Sequence, residues 1–492
     1  MTSYNALSAN DLPASIFKAY DIRGVVEQTL TEPVVYAIGQ ALGFLIHQKG
    51  LQRCVVGRDG RLSGPALEKA LCEGLLSAGI SVIRIGQVPT PVVYFATHLL
   101  QTGTGVAITG SHNPPNYNGL KMMVGGTTLS GEAIQDLYRC IASGQAAEAV
   151  QAFQARHASQ HAKAGQAQGP SAEHKVTDQT QDCRQDYLDR ILSDVSLARP
   201  LRVAVDAGNG VAGELGPELI RRLGCEVTEL FCEVDGQFPN HHPDPADPHN
   251  LEDLIHTVAE KGLDLGLAFD GDGDRLGVVT RHGEIIWPDR QLMLYAQDVL
   301  KAQPGSEIIF DVKCSRLLSR FIAQHGGKPT MWKTGHSLIK AKLKETGAPL
   351  AGEMSGHCFF NDRWYGFDDG LYTAARLLEI LASRAEHPAQ VLQSLPNSSS
   401  TPELQVRTAE GENHQTVKKL AKRGVFESAV EKIFIDGIRV EYADGFGLAR
   451  ASNTTPVVVL RFEADTAEAL ARIQAEFRHA FGLVMPGASL PF

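Results

Sequence analysis

A repeated strand–helix–strand pattern is the feature that most constrains how this chain can fold. It occurs at residues 53–86, 201–231 and 307–333. Each copy begins with a short apolar run that ends at an aspartate, continues with an apolar-striped helix, and passes a glycine 15 to 20 residues after the aspartate. Alternating strands and helices pair in parallel through right-handed crossovers. The pattern predicts three topologically related α/β domains, although unrelated α/β units would look similar at this point.

The C-terminal part of the chain lacks this pattern. Several short apolar segments precede a helix that we expect to begin near Thr466. These features predict a smaller α+β domain with a meander-like sheet. Between the first two copies, a stretch rich in Ala, Gln, His and Ser has no sustained apolar face, which favours an exposed linker. The predicted organisation is α/β domains at 1–150, 181–284 and 285–396, a linker at 151–180, and an α+β domain at 397–492.

Composition narrows the possible partners and compartment. The net charge of −10 over 492 residues argues against broad contact with nucleic acid or an anionic membrane, since both favour a basic face. The eight cysteines are scattered without a CxxC pair, which is typical of buried thiols in a reducing compartment. The N-terminal residues do not resemble a signal peptide, and no apolar stretch has the length of a membrane span. We therefore expect a cytoplasmic protein.

The most informative segment is TGSHNPPNYNGLK, which runs from Thr109 to Lys121. It follows the apolar strand GVAIT, so Ser111 is expected at a strand end, on a loop that glycine and proline make tight. A hydroxyl exposed there can accept a phosphoryl group, and Lys121 could balance the charge of that group. A capped turn without chemistry would have the same residues, so this segment alone leaves both interpretations open.

A second segment, FDGDGDRLGVV, follows the apolar strand LGLAF. Asp270, Asp272 and Asp274 alternate with glycines, so three carboxylates can converge on one hard cation such as magnesium. An EF-hand calcium loop also begins with alternating carboxylates. Here the closing glutamate and the flanking helices of that motif are missing, and Arg275 interrupts the loop. Magnesium is the preferred interpretation, with a metal-free acidic turn as the alternative.

Two further loops carry polar side chains suited to a phosphorylated sugar. LAGEMSGHCFF contains Glu353 and Ser355, which can accept hydrogen bonds from sugar hydroxyls, and His357, which could shuttle a proton. ARASNTTP contains a donor cluster around Arg450 that suits a phosphate. Either loop alone has an ordinary composition. Together with the serine and acidic loops, they are the parts of an enzyme that transfers phosphoryl groups on phosphosugars.

In this order and spacing the four segments resemble those of the α-D-phosphohexomutases, and most of all the bacterial phosphomannomutase/phosphoglucomutase group. TGSHNP resembles the phosphoserine loop of that family, DGDGDR its metal loop, GEMSGH its sugar-binding loop and RASNTTP its phosphate-binding loop. The resemblance covers nearly the whole chain outside the linker. Tyr20 and Arg23 in KAYDIRG, together with Lys313 and His336, also match active-site positions of the family.

The resemblance implies a fold, a reaction and a site. Four domains would surround a central cleft, and hinge motion of the last domain would open and close it. Phospho-Ser111 would exchange its phosphoryl group with mannose and glucose phosphates, at C1 or C6, through a hexose 1,6-bisphosphate. Mg²⁺ would be the cofactor and glucose 1,6-bisphosphate the activator.

The resemblance also implies which residues form the site. The implied catalytic residues are Ser111, His112, Lys121, Arg23 and His357. The implied substrate contacts are Tyr20, Arg275, Lys313, His336, Glu353, Ser355, His357, Arg450, Ser452, Asn453 and Thr454. The implied metal ligands are Asp270, Asp272, Asp274 and Ser111. The partners would be hexose phosphates, without nucleic acid or membrane, and the enzyme is expected to be a monomer.

Three alternatives differ in their predictions. Phosphoglucosamine mutase is the alternative within the family, but glucosamine mutases usually have another residue in place of Met354. A regulator that binds sugar phosphates without catalysis would not need the intact Ser111 and aspartates. A calcium-binding structural protein would be stabilised by calcium and would form no phosphoserine.

Overall fold

The computed structural model describes residue 7 and residues 11–164, 175–409, 411–453 and 455–492. By its internal contacts the chain divides into two compact units. The first unit contains the chain up to Ile285 together with Phe367–Ala389, and the second contains Ile286–Gly366 together with Gln390–Phe492. Among the described residues, no helix combines the length and the apolar character that a membrane span requires.

The N-terminal part of the first unit is a seven-stranded sheet covered by helices. Its elements are β1 (Ile22–Val25), α1 (Glu32–Gln48), β2 (Arg53–Arg58), α2 (Gly64–Ser77), β3 (Ser81–Gln87), α3 (Thr90–Leu99), β4 (Gly105–Ile108), β5 (Tyr117–Val124), β6 (Thr127–Thr128), α4 (Glu132–Ala142), α5 (Gln145–Ala164) and β7 (Asp178–Thr180). The strand order is β1-β5-β4-β2-β3-β7, with β6 paired to β5. Strands β4, β2, β3 and β7 are parallel, and β5 runs antiparallel to β4. The apolar faces of α1 and α2 pack together in the core beside this sheet.

A five-stranded sheet forms the next part of the chain, in the order β12-β11-β10-β8-β9. Its elements are α6 (Arg184–Leu192), β8 (Arg202–Asp206), α7 (Ala212–Arg222), β9 (Glu226–Leu230), α8 (Glu252–Glu260), β10 (Leu265–Phe269), β11 (Leu276–Thr280) and β12 (Ile285–Ile286). Strands β8, β9 and β10 are parallel, and β10 and β11 form an antiparallel hairpin. The acidic segment is the turn of that hairpin.

A four-stranded sheet follows, in the order β14-β13-β15-β16. Its elements are α9 (Pro288–Ala302), β13 (Glu307–Asp311), α10 (Arg316–Gln324), β14 (Lys328–Trp332), α11 (His336–Thr346), β15 (Leu350–Gly352), β16 (Cys358–Phe360), α12 (Gly370–Ala382) and α13 (Pro388–Gln393). Strand β13 is parallel to β14 and β15. Helix α12 packs in the first unit, where its N-cap Asp369 accepts a hydrogen bond from Tyr187 at 2.7 Å.

The C-terminal part is a six-stranded antiparallel sheet with two helices. Its elements are β17 (Ser399–Ser400), β18 (Leu404–Arg407), α14 (Glu412–Arg423), β19 (Glu431–Ile433), β20 (Ile438–Tyr442), β21 (Gly445–Ala451), β22 (Val457–Ala464) and α15 (Ala467–Val484). Strands β19 to β22 form a meander, and β17 and β18 both pair with β22. Thr466 caps α15 by accepting the amide of Ala469, so this helix begins where the sequence predicts.

The predicted fold class is confirmed. The three sequence copies form β2-α2-β3, β8-α7-β9 and β13-α10-β14, and the two strands of each copy are parallel neighbours. Residues 151–180, predicted as a linker, contain the C-terminal part of α5 and the strand β7, while residues 165–174 lie outside the described part of the chain. The four domain boundaries proposed from the sequence stay a prediction.

Candidate active site

Ser111 lies on the loop that joins β4 to β5, here named the serine loop (residues 109–117). Only 3% of the residue is exposed. Its φ of 48° lies in the left-handed region, a conformation that is energetically unfavourable for any residue other than glycine. Its amide donates to Thr109 Oγ1 at 2.8 Å. Its hydroxyl lies 3.1 Å from Asp270 Oδ2 and 3.1 Å from Nδ1 of His112. The loop therefore aims the Ser111 hydroxyl at the carboxylates of the next sheet.

The hairpin turn between β10 and β11, here named the acidic loop (residues 270–275), supplies those carboxylates. Asp270, Asp272 and Asp274 are fully buried, and one oxygen of each lies within 4.8 Å of the others. The amides of Asp274 and Arg275 both donate to Asp270 Oδ1 at 3.1 Å. The glycines between the aspartates let the turn fold back on itself, and Gly273 has a φ of 74°. Three buried carboxylates thus face one point.

Two buried cations offset part of this charge. Lys121, on β5, donates to Asp272 Oδ2 at 2.8 Å and to Asp274 Oδ2 at 2.5 Å. Arg275 donates to Asp270 Oδ2 at 3.0 Å and to Asp244 Oδ1 at 3.2 Å. Burial disfavours the Lys121 ammonium, but the attraction of the two aspartates outweighs burial, so the pKa of Lys121 is raised. Burial also raises the pKa of Asp270, and Arg275 opposes that shift.

The acidic loop fits a divalent hard cation. Asp272 Oδ1 is buried and accepts no hydrogen bond within the described part of the chain, whereas Asp272 Oδ2 accepts from both Thr90 and Lys121. A buried carboxylate oxygen without a donor is costly unless a cation contacts it. Carboxylate oxygens are also the ligands that magnesium and calcium prefer. The three aspartates could therefore bind a metal ion.

Two other residues of the first unit, which were not predicted from the sequence, also support this site. Thr90, at the start of α3, donates to Asp272 Oδ2 at 2.6 Å. Arg61, after β2, is buried and binds the serine loop. Both follow parallel strands of the first sheet, and carboxyl ends of neighbouring parallel strands meet at one sheet edge. That rule, applied to every strand end, would have found both residues.

Arg23 and Tyr20 lie at the edge of the same sheet. Arg23 is on β1, directly opposite Gly119 of β5, and it donates to Asp21 Oδ2 at 2.6 Å. Gly119 is two residues before Lys121, so β1 places Arg23 beside the strand that carries Lys121. Tyr20 precedes β1 in the chain. In the first unit, the structure thus clusters Ser111, His112, Lys121, Asp270, Asp272, Asp274 and Arg275, with Arg23 one strand away.

The second unit contains another group of predicted residues, around Glu353. This buried carboxylate accepts the Gly335 amide at 2.5 Å and lies 3.2 Å from Nδ1 of His357. Ser355 Oγ is 2.9 Å from the same ring nitrogen. The ring of His336 stacks on His357 at 5.6 Å. Burial works against the Glu353 carboxylate, but hydrogen bonds from His357 and the Gly335 amide, together with the charges of His357 and Lys313, outweigh burial, so the pKa of Glu353 is lowered.

Lys313 and Arg450 lie in the same unit, each paired with a carboxylate. Lys313 Nζ is 2.5 Å from Glu403, and Arg450 Nε is 3.0 Å from Asp436 Oδ2. Asp436 also accepts the amide of Thr334 at 3.1 Å, which connects the Arg450 strand to the loop before His336.

The remaining predicted residues of this group lie on the loop after β21. Ser452 is at its start, where its hydroxyl accepts the amide of Thr455 at 3.2 Å. Asn453 is the next residue and is partly buried. Thr454, also predicted as a substrate contact, lies outside the described residues.

Comparisons with known proteins identify the family to which this architecture belongs. Four consecutive models described as phosphoglucomutase/phosphomannomutase match the chain: alpha/beta/alpha domain I at residues 14–148, domain II at 185–283, domain III at 287–398, and the C-terminal domain at 403–480. The chain belongs to the phosphoglucomutase/phosphomannomutase family. The family predicted from the four loops is thereby confirmed.

Relatives of this family match over nearly their whole length. A phosphoglucomutase of Neisseria gonorrhoeae is 54% identical over 464 residues, which cover 94% of this chain and 96% of that protein. A phosphomannomutase/phosphoglucomutase of Pseudomonas aeruginosa is 50% identical over 484 residues, covering 98% and 99%. A crystal structure of a phosphoglucomutase/phosphomannomutase family protein from Burkholderia thailandensis has a TM-score of 0.87 at 53% identity, covering 98% of this chain and 100% of that one.

Proposed function

We propose that this member of the family is a phosphomannomutase/phosphoglucomutase that moves a phosphoryl group between C1 and C6 of mannose and glucose phosphates. The observation that carries the proposal is the buried Ser111 hydroxyl, 3.1 Å from Asp270, in a loop that faces three carboxylates and Lys121. One of the two relatives is named a phosphoglucomutase and the other a phosphomannomutase/phosphoglucomutase. These names support a substrate range that includes both glucose and mannose phosphates.

Ser111 would carry the phosphoryl group between two half-reactions. In the first, a free hydroxyl of the hexose monophosphate attacks phospho-Ser111, the serine P–O bond breaks, and a new P–O bond forms on the sugar. The hydroxyl proton is released as the new bond forms, and Arg23, Lys121 and His357 are the candidates for handling protons in the two half-reactions. In the second, Ser111 Oγ attacks the other phosphate of the hexose 1,6-bisphosphate and regains a phosphoryl group; the P–O bond to the sugar breaks, and the sugar oxygen takes up the proton that Ser111 releases. His112, 3.1 Å from Ser111 Oγ, would orient that oxygen.

The metal would be Mg²⁺, held by Asp270, Asp272, Asp274 and the oxygen of Ser111. When bound, this ion would neutralise charge on the transferring phosphoryl group. Lys121 would donate to the same group, since its ammonium already lies among the aspartates. Arg275 would fix Asp270 and contact the substrate from the acidic loop.

The residues of the second unit would recognise the part of the substrate that does not react. Glu353 and Ser355 are suited to sugar hydroxyls, and Arg450 and Lys313 to the second phosphate. The remaining proposed contacts are Tyr20, His336, His357, Ser452, Asn453 and Thr454. We further propose that the enzyme works as a monomer in the cytoplasm and takes glucose 1,6-bisphosphate as its activator.

A coupled assay with mannose 1-phosphate and glucose 1-phosphate tests the proposal, in the presence of magnesium and a trace of glucose 1,6-bisphosphate. We expect turnover of both sugars, loss of activity with a chelator, and a phosphoserine at residue 111 by mass spectrometry. Ser111→Ala should lower kcat by several orders of magnitude. Ser143→Ala, a serine that only closes the end of α4, is the matched control and should be unaffected. Turnover of neither sugar, or near-normal activity of Ser111→Ala, would contradict the proposal.

A further inference from the structure

Arg61 is a buried arginine at the carboxyl end of β2, in the short connection to α2. Only 1% of the residue is exposed. Its side chain lies across the serine loop, and the ring of Phe238 covers the guanidinium at 5.2 Å. No predicted role in binding or catalysis accounts for a charged group in this place.

The guanidinium of Arg61 uses all of its donors on one loop and one carboxylate. Nη1 donates to the carbonyl oxygens of Pro114 and Tyr117 at 2.6 and 2.9 Å. Nη2 donates to those of Ser111 and Asn113 at 2.8 and 2.6 Å. The fifth donor, Nε, is 3.2 Å from Asp59 Oδ2. Since a guanidinium has five N–H groups, none remains for a substrate.

Asp59, which binds Arg61, also binds Gly110, the residue before Ser111. Its Oδ2 also accepts the amide of Gly110 at 3.1 Å, and its Oδ1 accepts the Arg61 amide at 2.9 Å. Gly110 lies against the guanidinium so closely that an added Cβ would be 2.4 Å from Arg61 Cζ. A side chain in place of the glycine in TGSHNP would therefore displace the guanidinium of Arg61, whereas the φ of Gly110 does not itself call for glycine.

Ser111 is strained, so surrounding contacts must hold it in place. Its left-handed φ of 48° is a conformation that serine adopts only when other interactions over-determine it. On the C-terminal side of Ser111, Arg61 donates hydrogen bonds to the backbone carbonyls of the serine loop. On the N-terminal side, Asp59 accepts the amide of Gly110. Rotation of the loop back to an ordinary conformation would break these bonds and would turn Oγ away from Asp270.

We propose that Arg61 is a positioning residue for phosphoryl transfer, one that holds the serine loop so that Ser111 Oγ stays aligned with the acidic loop. This role rests on the proposed function. It assigns Arg61 no contact with substrate, metal or reacting atoms. Its removal should therefore impair the transfer step and leave substrate affinity intact.

The test is Arg61→Lys in the full chain, compared with wild type and with Arg376→Lys. Lysine keeps the charge, but its three donors share one nitrogen and cannot reach all four carbonyls. Because a displacement of about 1 Å can cost about 100-fold in rate, we expect kcat to fall by about 100-fold while KM for glucose 1-phosphate changes less than about 3-fold. The single-turnover loss of phosphoserine upon addition of glucose 1-phosphate should slow by the same factor. Arg376, equally buried on α12 and bound to Tyr372, should show no such split.

The outcomes separate this role from a structural one and from the proposed function. A folded Arg61→Lys protein with kcat near that of wild type, or a rise in KM that accounts for the whole loss, would overturn the role of Arg61. Should Arg61→Lys fail to fold, Gly110→Ala takes its place, because the added methyl group displaces the guanidinium, and the same criteria apply. Wild-type protein that neither turns over nor forms phosphoserine would overturn the proposed function, and the role of Arg61 with it.

Discussion

At the scale of single residues, Thr90 and Lys121 share one oxygen of Asp272. Both donate to Asp272 Oδ2, at 2.6 and 2.8 Å, and Oδ1 is thereby directed away from them. Groups that hydrogen-bond a metal ligand from outside fix its orientation, and their loss typically weakens metal binding by 10- to 100-fold, in order of magnitude. We therefore expect Thr90→Val to raise the Mg²⁺ concentration that gives half-maximal activity by about tenfold or more.

Thr97 on the same helix provides the control. It is as buried as Thr90, but its hydroxyl donates to the Tyr94 carbonyl at 2.7 Å. Thr97→Val should leave the magnesium requirement unchanged. The measurement is a magnesium titration of initial rates for both variants. Equal requirements in Thr90→Val and Thr97→Val would show that the Thr90 bond does not orient Asp272.

His241 and Asp206 make stability depend on pH. Nε2 of His241 lies 3.0 Å from Asp206 Oδ2, and Asp206 is fully buried at the end of β8. Burial lowers the pKa of His241, but the Asp206 carboxylate outweighs burial, so the pKa is raised above 6.5. A raised pKa in the folded state means that the pair stabilises the protein fully below about pH 6.5 and loses this contribution as pH rises through the folded-state pKa.

Urea unfolding of wild type and His241→Gln tests this dependence at about pH 6 and about pH 9. We expect the variant to be less stable than wild type at the lower pH and the difference to shrink at the higher pH. His256→Gln is the control, because this histidine is 80% exposed and only reaches Glu260 at 3.7 Å. A difference that is the same at both pH values would contradict a charged His241.

At the scale of elements, α1 and α2 are in contact through two glycines. A Cβ added to Gly74 would lie 2.3 Å from the Tyr36 carbonyl oxygen, and one added to Gly39 would lie 2.5 Å from that of Leu71. Backbone atoms cannot yield as a side chain can, so Gly74→Ala must push the helices apart. We expect it to lower the free energy of unfolding by about 1–3 kcal/mol in urea denaturation.

A helical glycine with open space around it is the control for that change. Gly482 on α15 is exposed, and an added Cβ would meet nothing within 4 Å. Gly482→Ala should stabilise the protein by roughly 0.5–1 kcal/mol, because alanine has less backbone freedom to lose on folding. If Gly74→Ala behaved like Gly482→Ala, close helix packing would not be the reason for Gly74.

Elements could be predicted from the sequence where their signals are local. The three strand–helix–strand copies have apolar runs, helical stripes and glycine stops within about thirty residues each, and all three form as predicted. Helix α5 is longer than its weak apolar face suggests, because packing against another part of the chain supports it: the Phe153 ring lies 6.0 Å from that of His47. The pairing of β7 with β3 spans almost a hundred residues and has no local signal.

The residues of the candidate site also fall into those with a local sequence signal and those whose contacts are remote in the chain. Ser111 and the acidic loop were predicted because a polar residue directly after an apolar strand is visible in the sequence. Thr90 and Arg61 also follow parallel strands, so their place at the site could be predicted, but their partners could not: Thr90 bonds a residue 182 positions away, and Arg61 bonds backbone carbonyl groups, which every residue type has. Family resemblance identified the residue types of the site but not the residues that orient them.

At the scale of the whole molecule, the third and fourth family domains meet within one compact unit through buried ionic contacts. Arg461 of β22 donates to the Lys313 carbonyl at 2.5 Å and to Asp289 Oδ2 at 3.2 Å. Arg439 of β20 donates to the carbonyls of Val312 and Cys314 at 2.6 and 2.7 Å. Two arginines of the last domain thus bind the loop that carries Lys313, and we expect the two domains to unfold together.

Arg461→Met tests this coupling, because it leaves Asp289 buried without its cation. Breaking one side of a buried pair typically costs about 3–5 kcal/mol. We expect faster hydrogen exchange, measured by mass spectrometry, in both β13 and β22. Arg478→Met is the control: this arginine donates to the Phe492 carbonyl in an exposed bond and lies over the Phe492 ring, so the change should stay within about 0.5 kcal/mol. Faster exchange confined to residues 403–480 would mean that the last domain unfolds alone, and that these arginines bind the Lys313 loop without joining the two domains into one folding unit.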